Sequence, residues 1–222
     1  MAQTLGDIAT GPRMAIIGAG GIGSWFCPRL SKKIEGGQLA RLAKDDVHIF
    51  DPDVVEAKNM KHQAFFEGEQ GMPKAAIMEH RFEMRGRIER FGKSNLGDFN
   101  WYVICADNTA VRKLVYEHVL EVNEGDKVFR KKFIDMRAEG DKLAIFTYRA
   151  SLKALMSSLG AEPESEQGFS CQLPSDTIAG QVKEAYDVVG GIGMQLLLDD
   201  FRGLEIPDTI MQDVVVPAAV RG

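Results

Sequence analysis

The sequence predicts an α/β protein whose Rossmann-like, doubly wound sheet is mostly parallel and finishes with antiparallel strands. Three observations predict this fold. Short apolar runs alternate with helical stretches in the first half of the chain, which is typical of parallel strands joined by crossover helices. The first apolar run, residues 14–17, leads directly into a glycine-rich turn. Two later apolar runs, on either side of residue 140, lie close enough together to form a hairpin.

The first half of the chain contains the elements of the parallel sheet in a regular order. Residues 14–17 predict a buried strand because the run is wholly apolar. Residues 22–34 predict a helix, in which Pro28 is tolerable only if it lies in the first turns. A long polar connection, residues 35–46, then leads to the remaining elements, which are strands at 47–50, 87–91 and 101–106 and helices at 73–84 and 108–122.

The second half begins with the hairpin pair, strands at 133–136 and 143–148. Residues 157–175 are polar and contain two prolines, so we expect a loop there. Residues 178–201 have apolar side chains at helical spacing and predict one long helix. The last stretch, residues 204–222, fits either a strand or an extended arm.

Composition limits the class of protein. The chain has 222 residues, of which 45% are apolar, enough for one large α/β domain. Its net charge of −5 argues against nucleic acid as a partner. No apolar run approaches the roughly 20 residues that cross a bilayer, and residues 1–12 lack the features of a signal peptide. The three cysteines are widely spaced and odd in number, so we expect no disulfide framework and a cytoplasmic location.

The glycine-rich turn has the pattern of a phosphate-binding loop. Gly18, Gly20 and Gly23 form G-x-G-x-x-G between a predicted strand and a predicted helix. In such a loop the first glycine makes the turn, the second lets a phosphate approach the backbone, and the third lets helix and strand pack closely. The N-terminus of the following helix would attract an anion. This pattern is compatible with NAD, FAD or ATP, and a related turn occurs in methyltransferases.

A second motif, at residues 51–63, favours ATP over NAD. Asp51 ends the second strand, where a carboxylate can accept hydrogen bonds from ribose hydroxyls of either nucleotide. Asn59 and Gln63 could bind phosphate oxygens or orient an attacking carboxylate, and Lys74 could neutralise a triphosphate. Each of these three is, by itself, more often an ordinary surface residue. Their combination with the glycine loop is what indicates a site.

A third motif follows the predicted strand 101–106. Asp107 stands at the carboxyl end of that strand, where ligands bind in this architecture, and carboxylate oxygens suit Mg²⁺. Asp107 or Asn108 could also cap the next helix, a role compatible with metal binding. Arg112 lies one turn further on and could reach the same site or pair with Asp107.

Cys171 is the one candidate nucleophile. It lies in the predicted loop, where a thiolate could attack an acyl adenylate. No basic residue within five positions would lower its pKa, so a loop thiol without a catalytic task is the competing interpretation. The four histidines show no metal-ligand spacing.

Taken together, these motifs resemble the ThiF/MoeB/ubiquitin-activating superfamily. The matching residues are GxGGxGS at 18–24, DxDxVExxNxxxQ at 51–63, Lys74, and Asp107-Asn108 with Arg112 four positions after the asparagine. The resemblance covers residues 13–148 and continues more weakly into 189–193. Members of this superfamily use ATP and Mg²⁺ to adenylate the C-terminal carboxylate of a ubiquitin-like or sulfur-carrier protein.

The resemblance implies a role for each matching residue. The chain would be a single adenylation domain, residues 1–222, with a nucleotide-binding core at 13–148 and a loop, long helix and C-terminal arm at 149–222. It would act on the C-terminus of a carrier protein or peptide and form a homodimer. The nucleotide would contact Gly18, Gly20, Gly21, Gly23, Asp51, Asp53, Asn59 and Lys74, the metal would bind Asp107, and the catalytic set would be Asn59, Gln63, Lys74, Asp107, Arg112 and, as the weakest member, Cys171.

Three departures from the family pattern leave alternatives open. His62 stands where the family usually has arginine immediately before the motif's glutamine. The usual pair of CxxC motifs is absent, so we expect no structural zinc. We expect the family's N-terminal helix, which lends an arginine to the partner subunit, to be truncated here, and Arg13 is a poor substitute because it abuts the first strand. The alternatives are a catalytically degenerate binding protein with the same fold, or an NAD-dependent oxidoreductase.

Overall fold

The computed structural model describes residues 11–39, 41–125, 130–139, 142–159 and 181–213, with the side chains of 181–183 excepted. Seven strands of this part of the chain form one sheet in the order β3-β2-β1-β4-β5-β6-β7. The strands are β1 (Met14–Ile17), β2 (Val47–Phe50), β3 (Arg85–Arg87), β4 (Trp101–Ile104), β5 (Lys132–Glu139), β6 (Lys142–Thr147) and β7 (Thr209–Asp213).

The sheet confirms the predicted fold class. The five strands from β3 to β5 pair in parallel, whereas β6 and β7 are antiparallel to their neighbours. Ile17 at the end of β1 is in register with Phe50 at the end of β2 and with Ile104 at the end of β4. The carboxyl ends of these three strands therefore meet at one edge of the sheet, which we call the carboxyl rim. The strand order reverses between β1 and β4, and ligands bind at such a switch point in doubly wound sheets.

Helices cover both faces of the sheet. They are α1 (Gly21–Glu35), α2 (Lys74–Phe82), α3 (Thr109–Asn123), α4 (Leu152–Ser158) and α5 (Gln181–Phe201). Right-handed crossovers put α1 and α2 on one face and α3 on the other. Helix α5 packs beside α1, with Gly190 facing the backbone of Phe26. None of these helices is long and apolar enough to cross a membrane.

Two elements differ from the sequence prediction. Strand β3 covers Arg85–Arg87 rather than 87–91. It is the edge strand of the sheet and pairs only with β2, and both of its arginines are exposed to solvent. Pro28 lies well inside α1, beyond the first turns. Pro28 lacks the N–H that would bond the carbonyl of Ser24. The side chain of Arg29 donates to the following carbonyl, that of Trp25, at 2.7 Å.

The last part of the chain is more regular than predicted. Residues 209–213, which fitted either a strand or an arm, form β7 and pair with β6. Helix α4 ends at Ser158, inside the stretch predicted as loop. Residues 160–180 and 214–222 lie outside the described part of the chain.

Candidate nucleotide-binding site

The glycine loop between β1 and α1 is built for close packing at two positions. Gly18 has φ +96°, a backbone conformation that residues with a side chain rarely adopt, and it lies against Ala106 after β4. A side chain on Gly23 would overlap the carbonyl oxygen of Gly18. Gly20 differs, because a Cβ there would meet only Gln63 Nε2, at 3.8 Å. Space is therefore left at the glycine that the motif assigns to phosphate approach.

No acidic side chain in the first turn neutralises the positive potential at the N-terminus of α1. The helix begins at Gly21, its N-cap Gly20 has no side chain, and its first turn contains no acidic residue. The first N–H groups of a helix have no partner within the helix and create positive potential. The ring of Tyr186, from α5, lies directly against Gly21 and forms one wall beside the loop. This arrangement can hold an anion at the carboxyl rim.

Asp51 ties the end of β2 to the glycine loop. Its carboxylate accepts hydrogen bonds from the backbone N–H of Ala19 at 2.6 Å and of Asp53 at 2.8 Å. The residue is buried, and burial raises the pKa of its carboxyl group despite these two bonds. Asp51 therefore holds the glycine loop in its conformation. It also lies at the carboxyl rim, where the sequence predicts a contact with ribose.

The segment between β2 and α2 brings Asn59 and Lys74 to the same rim. Residue 54 bridges to residue 73, which closes this segment into a loop. Asn59 is buried and its Oδ1 accepts the backbone N–H of Glu56 at 2.9 Å, so its side chain holds the loop in shape. Lys74 is the first residue of α2 and is buried, with Nζ 3.5 Å from the exposed carboxylate of Asp53.

His62 and Gln63 carry buried polar atoms that lack a hydrogen-bond partner. These atoms are His62 Nδ1 and Gln63 Oε1, in consecutive residues of the loop. Unpaired buried polar atoms are uncommon in native proteins because each costs free energy. In the described residues the other such atoms are on Arg81, His118 and Glu184, and Arg81 is ion-paired with Glu69. The adjacent pair on His62 and Gln63 therefore leaves hydrogen-bonding capacity unused beside the glycine loop.

Asp107 and Arg112 do not pair with each other. Asn108, rather than Asp107, caps α3, because its Oδ1 accepts the backbone N–H of Val111 at 3.1 Å. Asp107 is exposed at the rim. Arg112 donates from Nε to Asp135 on β5 at 3.1 Å, so the pairing with Asp107 is wrong. No group of three or more possible metal-ligating side chains occurs in the described ranges.

A buried charge cluster on β5 was missed by the sequence reasoning. Asp135 has no exposed surface, and it accepts hydrogen bonds from Arg112, Arg137 and Tyr116. Arg137 also binds the carbonyl and hydroxyl of Ser158 at the end of α4. The signal in the sequence is an aspartate flanked by the apolar residues Ile134 and Met136, since a buried carboxylate needs cationic partners nearby.

Burial disfavours the thiolate form of both cysteines within the described ranges. Burial raises the pKa of Cys27 to about 12 and raises that of Cys105 well above its ordinary value. Cys171 lies outside the described residues, so its predicted role is not tested. A cavity of about 400 Å³ lies elsewhere, between α1 and α5, and none of the predicted site residues lines it.

Solved structures with a similar fold are distant in sequence. PaaA aligns with a TM-score of 0.61 at 13% identity, over 91% of this chain and 60% of that one. Escherichia coli MccB solved with ATP aligns with a TM-score of 0.59 at 12% identity, over 92% of this chain and 64% of that one. MccB solved with MccA gives 0.57 at 13% identity, over 92% and 64%. The chain thus spans under two thirds of the length of these neighbours, and the likeness shows the fold.

A sequence comparison identifies the family. No curated protein sequence matches the chain. The sequence model of the ThiF family matches residues 7–191, which include the glycine loop, the 51–63 motif, Lys74 and Asp107. This match covers most of the chain, and the fold of the structural neighbours agrees with it. The protein therefore belongs to the ThiF family.

Proposed function

We propose that this protein binds ATP at the carboxyl rim and transfers the adenylyl group to the C-terminal carboxylate of a second polypeptide. The single observation that supports this most is the convergence of separate segments on one glycine loop. Gln63, Lys74 and the start of α1 belong to different elements, yet all lie at the carboxyl ends of β1 and β2. Together they offer donors and positive charge, as a triphosphate requires.

The proposed reaction needs no covalent group from the protein. A carboxylate oxygen of the second polypeptide attacks the α-phosphorus of ATP. The bond from that phosphorus to the oxygen bridging to the β-phosphate breaks, and pyrophosphate leaves with the bonding electrons. The product is an acyl adenylate. Catalysis then consists of alignment and of stabilising the charge on the phosphates, the task of Lys74, Gln63 and the helix N-terminus.

Mg²⁺ would be held chiefly by the nucleotide itself. Asp107 is exposed at the end of β4 and can supply one carboxylate, while phosphate oxygens and water complete the shell that this ion prefers. The ion would neutralise charge on the phosphates. Asp107 fits this arrangement because its carboxylate is not used to cap α3.

The second substrate is inferred from chemistry and from one neighbour. MccB has been solved with MccA containing selenomethionine, which makes MccA a polypeptide. A peptide or a small carrier protein with an accessible C-terminus is the corresponding partner for this chain. Homodimer formation, a cytoplasmic location, a single domain over residues 1–222 and a role for Cys171 after activation stay predictions.

Two measurements test the proposal in sequence. In a thermal-shift titration, ATP with MgCl₂ should raise the melting temperature, whereas NADH should not. Pyrophosphate exchange into ATP should then appear when a polypeptide with the correct C-terminus is added. Stabilisation by NADH alone would favour an oxidoreductase. Binding of ATP without exchange, across C-terminal peptides and carrier proteins, would instead favour a nucleotide-binding protein that has lost adenylation, which the histidine at position 62 makes a concrete alternative.

A further inference from the structure

The imidazole of His62 is buried beside the glycine loop with one ring nitrogen unused. The residue is 5% exposed, and Nδ1 has no hydrogen-bond partner. Its backbone carbonyl accepts a hydrogen bond from Trp25 Nε1 at 3.0 Å, which fixes the residue against α1. A buried ring nitrogen without a hydrogen-bond partner destabilises the fold. A role in ligand binding would explain why this position nevertheless carries a histidine.

Both side chains next to the imidazole also contact the glycine loop. Gln63 Nε2 lies 3.5 Å from His62 Nε2 and 3.8 Å from the Cβ position on Gly20. The ring of Tyr186 has its centroid 6.1 Å from that of His62 and lies against Gly21. The imidazole is therefore one side chain away from the place where a phosphate would meet the start of α1.

The surroundings keep this imidazole neutral in the free protein. Burial lowers the pKa of His62, and the positive charge of Lys74 on α2 lowers it further. Trp25 on α1, Tyr186 on α5 and the neighbouring Gln63 face it without a formal charge, and Asp53 is engaged with Lys74 at 3.5 Å. A bound polyphosphate would reverse the sign of the local potential, because it adds several negative charges beside Lys74.

We propose that His62 takes up one proton when a nucleoside triphosphate binds, and that the resulting imidazolium adds a positive charge close to the bound phosphates. This inference rests on the proposed ATP site and adds a regulated property to it. The proton comes from solvent, and no bond in the nucleotide changes. Affinity for the nucleotide is then linked to pH, and it falls by up to tenfold for each unit of rise while His62 is neutral in the free protein and protonated in the complex.

Calorimetry of the full chain with ATP and MgCl₂ tests this directly. Titrations at pH 7.0 in Pipes, Hepes and Tris give the number of protons bound, because the observed enthalpy varies with the ionisation enthalpy of the buffer. Wild type should take up about 0.5–1 proton more per nucleotide than H62Q, since a single titrating group can bind at most one proton. H62R carries a permanent charge and should bind without this extra proton. H48Q is the matched control, since His48 is also a buried histidine with a lowered pKa but lies within strand β2, and it should behave as wild type.

Each outcome decides between the two proposals. Equal proton uptake by wild type and H62Q, with ATP bound by both, would overturn the role of His62 and leave the ATP site intact. No binding of ATP by wild type at any pH would overturn the proposed function and this inference together. If H62Q does not fold, an NMR titration of the His62 Cε1 proton in wild type takes its place: the pKa of His62 should rise on adding ATP and MgCl₂, and an unchanged pKa would contradict the proposal.

Discussion

Two polar regions of this protein lie near each other along the sheet and differ in how far their polar atoms are satisfied. At the glycine loop, His62 Nδ1 and Gln63 Oε1 are buried without partners. In the β5 cluster, by contrast, both oxygens of Asp135 are used and Arg137 binds three different residues. A buried polar group that is fully paired stabilises one arrangement of the chain, whereas an unpaired one leaves capacity for a ligand. We therefore interpret the β5 cluster as structural and the glycine loop as the binding site.

The largest expected effect is on stability, in the β5 cluster. Asp135→Ala leaves Arg112 and Arg137 without their shared buried carboxylate, so the free energy of unfolding should fall by about 3–5 kcal/mol. Urea denaturation measures this change. Asp107→Ala is the control at an exposed carboxylate on the same rim, and it should change the free energy of unfolding by less than about 0.5 kcal/mol. If the free energy of unfolding fell by similar amounts in the two variants, the β5 cluster would not be the stabilising region that we infer.

The Asp107→Ala variant should lose activity although its stability hardly changes. Asp107→Ala removes the protein's carboxylate from the proposed metal, so magnesium-dependent pyrophosphate exchange should fall by at least about 100-fold, or about 2.7 kcal/mol. Exchange rates measured with saturating peptide substrate give this number. Full activity in Asp107→Ala would remove this residue from the site.

Lys74 should separate binding from stability. Lys74→Gln removes a positive charge whose protein partner, Asp53, is largely exposed. Affinity for ATP should fall by about 10–100-fold, since hydrogen bonds to charged groups contribute about 1.5–3 kcal/mol. Isothermal titration measures the affinity, and circular dichroism melting should show a stability close to wild type. A Lys74→Gln variant that unfolds readily but binds ATP as well as wild type would show that Lys74 stabilises the fold and does not bind nucleotide.

The smallest expected effect concerns pH and a buried histidine outside both regions. Burial lowers the pKa of His48 to about 4, and the charges of Arg13, Arg87 and Arg85 add to this. Because the folded pKa lies below the unfolded value, the fold favours the neutral ring. Its contribution to stability is therefore complete above about pH 6.5 and is lost as the pH falls toward 4, by on the order of 2 kcal/mol.

His48→Gln isolates this contribution. The loss of unfolding free energy between pH 7 and pH 4 should be smaller in the variant than in wild type, as measured by urea denaturation at each pH. Parallel pH profiles would show that His48 does not titrate in this range. Since His48 lies away from the glycine loop, the affinity for ATP should be the same in variant and wild type.

The parallel part of the fold could be predicted because its signals are local. Strands β1 and β2 are four-residue runs with every residue buried, and a glycine loop with its helix follows the first. Strand β3 was predicted a few residues late, because an edge strand with exposed arginines lacks an apolar signal. Strand β7 was ambiguous for a related reason: most of its residues are exposed, and pairing with β6 defines it.

The candidate site could be predicted as a set of residues but not as a network of contacts. Glycine spacing and the 51–63 motif identify which side chains lie at the rim. The partners of Arg112 depend on β5, more than 20 positions away, so local spacing suggested Asp107 where the structure has Asp135. Likewise, the ring of Tyr186 beside His62 comes from a helix about 120 positions further along the chain, which local spacing could not reveal.

A crystal structure of the protein with Mg²⁺ and a non-hydrolysable ATP analogue tests the central claim most directly. We expect phosphate oxygens within hydrogen-bond distance of the backbone at Gly20 and Gly21 and of the side chains of Gln63 and Lys74, with the metal beside Asp107. A nucleotide bound at another edge of the sheet, or a glycine loop with no nucleotide beside it, would contradict this expectation.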